Sequence, residues 1–373
     1  MIRIIYLDNA ATAKPKQEVI KEIEYVLEHE WGNPSSLYGI GRSAKQIVDN
    51  SRKITADFVG AKPSEIVFTS GACESNSMAI NGYLNKNDVN FITSTIEHKS
   101  IMNLYDDSYV MKHKVQVGNH GLVDTIELEE LLLESDKHCL VSIQFANNEI
   151  GTIQDIKKIS EIVHRYGGIL HTDATQMIPN SPVNVKDLGI DMMSFSGQKL
   201  GATKGIGVLY IKNCIELEPI IYGSQENSRR GGTENVPYIA GLAKAIETIY
   251  CPTSEIRDYF FDKLDYLLDD IYLIGWETDA LRLKNNLSIC FKGIESESLL
   301  LLLDNKEIYV SSGSACNSAS LSPSYVLSAI GMKEPDINGV VRFSFGEDTT
   351  ERQCDIAIDE IVKSVNTLRR MSK

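Results

Sequence analysis

The stretch Ile156-Lys-Lys-Ile-Ser-Glu-Ile-Val-His-Arg-Tyr-Gly-Gly-Ile-Leu-His-Thr-Asp-Ala-Thr-Gln176 changes period halfway along. Apolar residues recur at helical spacing over Ile156–Tyr166, two glycines interrupt, and Gly168–Thr172 reads as a short buried strand. The strand runs out on a polar tail, Asp173-Ala-Thr-Gln176. The same alternation extends on both sides. Strand candidates lie at Glu65–Thr69, Val89–Thr95, Cys139–Phe145, Asp191–Phe195 and Gly207–Ile211, with helical patterns such as Thr125–Glu134 between them. Alternation over this length predicts an α/β fold with a large, mostly parallel sheet and helices on both faces.

Two helices precede the alternation, Pro15 to about Glu30 and Ser43 towards Phe58, the second closed by Gly60. Beyond Val236–Ile249 the rhythm changes. Short strands at Asn285–Phe291, Ile308–Ser311 and Val340–Phe345 are joined by helices at Glu297–Asp304 and Ser324–Ile330, and a last helix covers about Thr350–Leu368. The expected division is a large domain over 15–254 and a smaller α+β domain made of 1–14 and 255–373.

The 373 residues suffice for two cores, and 43% hydrophobic with 24% charged residues excludes a disordered or fibrous chain. A formal net charge of -14 disfavours nucleic acid and anionic lipid as partners. No apolar run approaches the roughly 18 residues of a membrane helix. The seven cysteines are odd in number and scattered, with no Cys-x-x-Cys pair, and the seven histidines lack metal spacing. Both patterns argue against disulfides and metal, and the cysteines fit a reducing, cytoplasmic setting.

Ligands of open parallel sheets sit beyond the carboxyl ends of the strands. At those ends fall Glu97-His98, Asn147-Asn148, Asp173 to Gln176, and Ser196-Gly-Gln198-Lys199. Thr69-Ser-Gly-Ala72-Cys73 follows a strand and precedes a helix near Glu74, the composition of an anion cradle at a helix N-terminus. These parts suit pyridoxal phosphate: Lys199 for the Schiff base, Asp173 opposite the ring nitrogen, His98 stacked on the ring. A second cluster, Ser311-Ser-Gly-Ser-Ala-Cys316-Asn-Ser-Ala-Ser320, surrounds one thiol with small polar residues and reads as a loop presenting a nucleophile. Gly39-Ile-Gly41-Arg-Ser-Ala44 follows no strand and is not a dinucleotide fingerprint, and Gly201–Gly207 is not a P-loop.

From Tyr6-Leu-Asp-Asn-Ala-Ala-Thr12 to Val341-Arg-Phe-Ser344 the chain resembles the cysteine desulfurases of the NifS/IscS type, fold-type I pyridoxal-phosphate enzymes of the class-V aminotransferase group. The most specific matches are Phe68-Thr-Ser-Gly-Ala-Cys-Glu-Ser-Asn76, Asn147-Asn-Glu-Ile-Gly151, His171-Thr-Asp-Ala-Thr-Gln176, Gly232-Thr-Glu-Asn235 and the Cys316 loop. The resemblance implies that Asn148 and Gln176 hydrogen-bond the cofactor, and that Ala72, Cys73, Ser196 and Gln198 bind its phosphate. Thr233 would reach that phosphate from a second subunit of a homodimer. Arg342 would clamp the substrate carboxylate, with Asn148 and Asn33 beside it. L-cysteine would become L-alanine, leaving its sulfur as a persulfide on Cys316 for an acceptor protein of iron–sulfur assembly or tRNA thiolation.

Some positions depart from the family pattern. Cys73 stands for the usual Thr and Gln198 for the usual His, so weaker phosphate binding is expected; Gly201-Ala-Thr203, Asn227 and Gly346-Glu-Asp348 also differ. Two other readings stand beside the desulfurase: a lyase of the same fold acting on selenocysteine or cysteine sulfinate, and a non-catalytic scaffold carrying a cluster on Cys316.

Overall fold

The computed structural model describes residues 4–312 and 323–371. The deciding stretch folds as helix Ile156–Arg165 followed by strand Ile169–Asp173, with Gly167 taking the left-handed turn between them (φ 69°). In chain order the strands are β1 (Ile5–Tyr6), β2 (Ile66–Thr69), β3 (Asn90–Ser94), β4 (Lys112–Val115), β5 (Cys139–Ser142), β6 (Ile169–Asp173), β7 (Met192–Ser196) and β8 (Gly207–Ile211). The smaller part of the chain adds β9 (Ile271–Leu273), β10 (Asn286–Phe291), β11 (Ile308–Tyr309), β12 (Ser311–Ser312) and β13 (Val340–Ser344).

Seven strands form one sheet in the order β2-β8-β7-β6-β5-β3-β4. Only β8 runs antiparallel to its neighbours, so the sheet is mostly parallel. Successive residues along its strands feed opposite cores. Phe68, Ile92, Val141, Met193 and Val208 pack on one face, and Val67, Phe91, Leu140, Met192 and Leu209 on the other. Helices Gln17–His29, Gly39–Val59 and Val236–Glu247 cover the first face, and Ala72–Lys86 covers the second. Burial on both faces is why these strands read as apolar runs rather than alternating ones.

The second sheet, β12-β13-β10-β9, is antiparallel and packs with the helices Glu255–Leu267 and Glu351–Met371 around Phe260, Phe291 and Phe343. The N-terminal segment joins this group: β1 pairs in parallel with β11, and Ile5 and Leu7 belong to the same apolar cluster.

Several boundaries differ from the sequence expectation. The second helix begins at Gly39, not Ser43, because Gly41 packs against the Asn33 and Ser36 carbonyls, where an added Cβ would come within 2.8 Å. The stretch Ile308–Ser311 splits, β11 turning to β1 and β12 to β13. Strands β4 and β9 are too short and too little buried to be read in advance, β4 having one buried residue in four; helix Glu255–Leu267 carries helical apolar spacing at Ile256, Phe260 and Leu264 and is an element the sequence reading omits.

Candidate active site

Four strand ends and one N-terminal segment build the site. Asp173 closes β6 with its carboxylate buried. Its Oδ1 accepts the Thr175 N–H at 3.0 Å, and its Oδ2 accepts from the Asn76 amide at 2.8 Å. The same amide nitrogen donates to Ser100 Oγ at 2.9 Å, and Ser100 Oγ lies 2.8 Å from His98 Nδ1. His98 also caps helix Lys99–Asp107, because its Nδ1 accepts the Ser100 backbone N–H at 3.1 Å. An accepting Nδ1 leaves the ring proton of neutral His98 on Nε2, assigned here from the hydrogen bonds. His98 and Asp173 are thus joined through Ser100 and Asn76.

Beneath them Glu97 is fully buried and accepts the Gln144 N–H on both oxygens, at 3.0 and 2.9 Å. Burial pushes its carboxyl up to about 8. Glu149, also buried, is pushed up to about 7 for the same reason, and accepts from Ser324 Oγ at 2.6 Å. His171, two residues before Asp173 on the same face of β6, sits between Ser142 Oγ and Ser194 Oγ; burial lowers it to about 4, so it is a neutral structural imidazole.

Lys199 ends the single 3-10 turn Gly197–Lys199 that follows β7. Its Nζ donates to the Ala10 carbonyl at 2.6 Å and also to the Ala11 carbonyl. Gln176 Nε2 donates to the same Ala10 carbonyl at 3.0 Å. The segment is anchored by Ser344, whose Oγ accepts the Ala10 N–H at 2.8 Å. Two residues before Ser344 on β13, Arg342 is almost wholly buried. Its Nη1 donates to the Asn148 carbonyl at 3.0 Å and its Nη2 to Asp8 Oδ1 at 2.7 Å, while its buried Nε has no partner among the described residues. Residues 8–11 therefore touch Lys199, Gln176 and Arg342 together.

The anion cradle begins at Ala72, two residues earlier than expected, with Gly71 as the cap residue. A Cβ added at Gly71 would meet nothing within 4 Å, so the cradle opens onto space; one added at Gly207 would lie 2.5 Å from Gly71 Cα. Ser70 N–H donates to Glu74 Oε2 at 2.6 Å, and Arg230 holds Glu74 Oε1 at 2.8 Å. Burial opposes ionisation of Glu74, but these hydrogen bonds outweigh it and keep the carboxyl below its usual range. Ser196 is buried at the end of β7, Gln198 lies in the turn after it, and Cys73 is exposed.

Two predicted residues are not brought in. Asn33 is exposed, and its Oδ1 accepts the Ser35 N–H at 2.9 Å in a loop turn; no hydrogen bond joins it to Arg342 among the described residues. Thr233 is exposed on its own protomer. Cys316 lies outside the described residues, but both flanks end at the site. Ser311 pairs with Arg342 across the β12–β13 ladder, and Tyr325 OH donates to the Glu97 carbonyl at 2.5 Å.

A model of the class-V aminotransferases matches residues 5–356. The chain belongs to this family. Cysteine desulfurase IscS of Dictyoglomus turgidum is 39% identical over 386 residues, covering 100% of this chain and 97% of its own. Cysteine desulfurase IscS of Methanosarcina thermophila is 40% identical over 384 residues, covering 99% and 94%. A solved NifS-like protein superposes with a TM-score of 0.89 at 31% identity, covering 98% of this chain and 100% of that one. Within the class-V aminotransferases the chain falls among the cysteine desulfurases, pyridoxal-phosphate-dependent enzymes of fold type I.

The residues present fit that cofactor. A buried carboxylate suits a cationic ring nitrogen, a lysine amine closes the strand beside it, and the open helix N-terminus at Gly71 suits a phosphate. Among the described residues no group of His, Cys, Asp and Glu could hold a metal ion, and no helix is long and apolar enough to cross a membrane. Sequence reasoning missed Asp8, Asn76, Ser100 and Glu149 as parts of the site, and it placed Glu97 at a strand end without giving it a role. Asp8, Asn76 and Glu149 stand inside the quoted motifs, and that membership is the signal that could have found them; Ser100 lies outside those motifs.

Proposed function

We propose that this desulfurase takes free L-cysteine, releases L-alanine, and holds the sulfur as a persulfide on Cys316 before passing it to an acceptor protein. The observation that carries this reading is the N-terminal segment at Asp8–Ala11, which contacts the lysine, the amide and the arginine assigned to cofactor and substrate. Bound pyridoxal phosphate supplies the electron sink that lets bonds at the substrate carbons break.

The chain's own residues then divide the work. Lys199 would carry the cofactor, and its Nζ would be the base for the substrate α-proton. Asp173, fixed through both oxygens by the Thr175 N–H and the Asn76 amide, would pair with the ring nitrogen; Asn148 and Gln176 would hydrogen-bond the ring oxygen region. His98 would stack on the ring, with its Nε2 proton available for transfer. Ala72, Cys73, Ser196 and Gln198 receive the phosphate, with Thr233 reaching in from a second copy in a homodimer; the exposure of Thr233 on its own protomer supports that role. Arg342 orients the substrate carboxylate through the guanidinium edge that includes the unpartnered Nε, with Asn148 and Asn33 nearby.

The Cys316 thiolate attacks the substrate sulfur and the C–S bond breaks, its electron pair staying with carbon, which is reprotonated to alanine. Cys316 retains the sulfur as S–SH, so no outside oxidant or reductant enters. The anchored flanks at Ser311 and Tyr325 support delivery of this thiol to the site. An iron–sulfur scaffold or a tRNA-thiolating protein is the acceptor class this chemistry serves. The scattered cysteine spacing, with no Cys-x-x-Cys pair, supports a reducing, cytoplasmic setting. The separate apolar clusters support the division into 15–254 against 1–14 with 255–373.

Incubation with L-cysteine followed by mass spectrometry tests the reading: a mass gain of one sulfur is expected on the peptide carrying Cys316, and Cys316→Ala is expected to abolish alanine release from cysteine. A persulfide on another cysteine, or full cysteine turnover by Cys316→Ala, would refute it.

A further inference from the structure

Arg342 is not an unengaged cation waiting for an anion. Its Nη2 is already held by Asp8 Oδ1 at 2.7 Å, and its Nη1 by the Asn148 carbonyl at 3.0 Å. The pair is largely dry, with 4% of the Arg342 side chain and 18% of the Asp8 side chain exposed. Asp8 itself is fixed, since it bridges Ser344 on β13, and Tyr6 OH donates to its carbonyl at 2.9 Å. Among the described residues the guanidinium's Nε is buried without a partner. A substrate carboxylate taken through Nε therefore shares one guanidinium with a permanent protein carboxylate.

We infer that Asp8 is an affinity-setting residue for the substrate class itself, α-amino acids with a free carboxylate, acting by charge repulsion through Arg342. This rests on the reading of Arg342 as the carboxylate clamp. Two carboxylates on one guanidinium repel at reduced dielectric, so Asp8 weakens the hold on any α-carboxylate while keeping the guanidinium plane fixed. The consequence is chemical. L-alanine keeps the same carboxylate as L-cysteine, so Asp8 weakens substrate and product alike, and an arginine with no counter-anion would hold both more tightly and release product more slowly. Asp8 makes the clamp specific in direction yet weak enough to release.

Asp8→Asn separates charge from geometry, because an amide oxygen can still accept from Nη2. Calorimetric titration of the holoenzyme with L-alanine is expected to show binding about tenfold tighter than wild type, and KM for L-cysteine is expected to fall by a similar factor without a rise in kcat. Asp8→Ser, smaller and also uncharged, is expected to tighten alanine binding in the same direction. Structural damage cannot imitate this, since damage weakens binding. Arg342→Lys is the companion measurement, expected to weaken alanine binding about tenfold or more. If Arg342→Lys weakens alanine binding but neither Asp8 variant tightens it, the role of Asp8 is overturned while the clamp stands. If Arg342→Lys changes nothing, the clamp and the inference fall together.

Discussion

Glu97 shows how far one side chain can depart from its solution behaviour. It is buried under His98 and its carboxyl is pushed up to about 8 by burial, with the Asp173 charge adding to the effect. In the unfolded chain the same carboxyl titrates near 4.5. Between those values the folded protein keeps a proton that the unfolded chain has lost, so this residue makes stability fall as pH rises from about 4.5 to about 8. Glu149, raised to about 7, acts in the same direction. His171 acts oppositely: lowered to about 4, it makes stability fall as pH drops through the interval from 6.5 to about 4. Glu97→Gln is expected to flatten the decline on the alkaline side, read as denaturant-unfolding free energy at pH 5, 6.5 and 8. An unchanged slope would contradict the protonated carboxyl. The motif around Glu97 was legible in the sequence. Its burial was not, because a carboxylate beside a histidine reads equally well as a solvated pair.

At the level of elements, the cradle depends on two chain segments approaching backbone to backbone. A Cβ at Gly207, the first residue of β8, would stand 2.5 Å from Gly71 Cα and 2.6 Å from its carbonyl carbon. Neither is a flexible side-chain end, so the turn itself must move. Gly207→Ala is expected to weaken cofactor binding by about tenfold or more while the fold persists, since the strain falls on one turn and not on a core. Equilibrium dialysis against pyridoxal phosphate measures it; unchanged affinity would show that the turn is not the phosphate cradle. The left-handed run Glu226, Asn227, Ser228, with φ of 50°, 57° and 61°, is a second place where backbone conformation is imposed from outside. The imposing contact is Glu226, buried and held bidentately by Arg52 at 2.7 Å. Nothing local in that stretch announces the conformation, and it went unread. Five strands of the large sheet were readable within about a residue, and the sixth, Cys139–Phe145, overran β5 by three, because apolar burial on both faces leaves a continuous signature, whereas β4 lies at the sheet edge with little buried surface and left none.

For the whole molecule, the exposure of Thr233 sets the expectation of assembly. Sedimentation of the holoenzyme is expected to give a particle of twice the 41.5 kDa chain mass, and Thr233→Ala is expected to speed cofactor loss although the residue lies at the surface of its own protomer. A monomer that keeps its cofactor would refute the shared site. By itself the amino-acid order determined the fold class and the strand ends at which polar residues gather, because periodicity and motif spacing are local properties of the chain; the roles proposed for those residues come from the resemblance to the desulfurases. Only the folded molecule decided that residues 8–11 lie across Lys199, Gln176 and Arg342, that Asp8 already occupies the arginine, and that Glu97 and Glu149 are sealed from water. Those facts depend on parts of the chain from 47 to 334 residues apart meeting at one place, as Gln144 meets Glu97 and Arg342 meets Asp8, and long-range closure of that kind leaves no periodic trace in sequence.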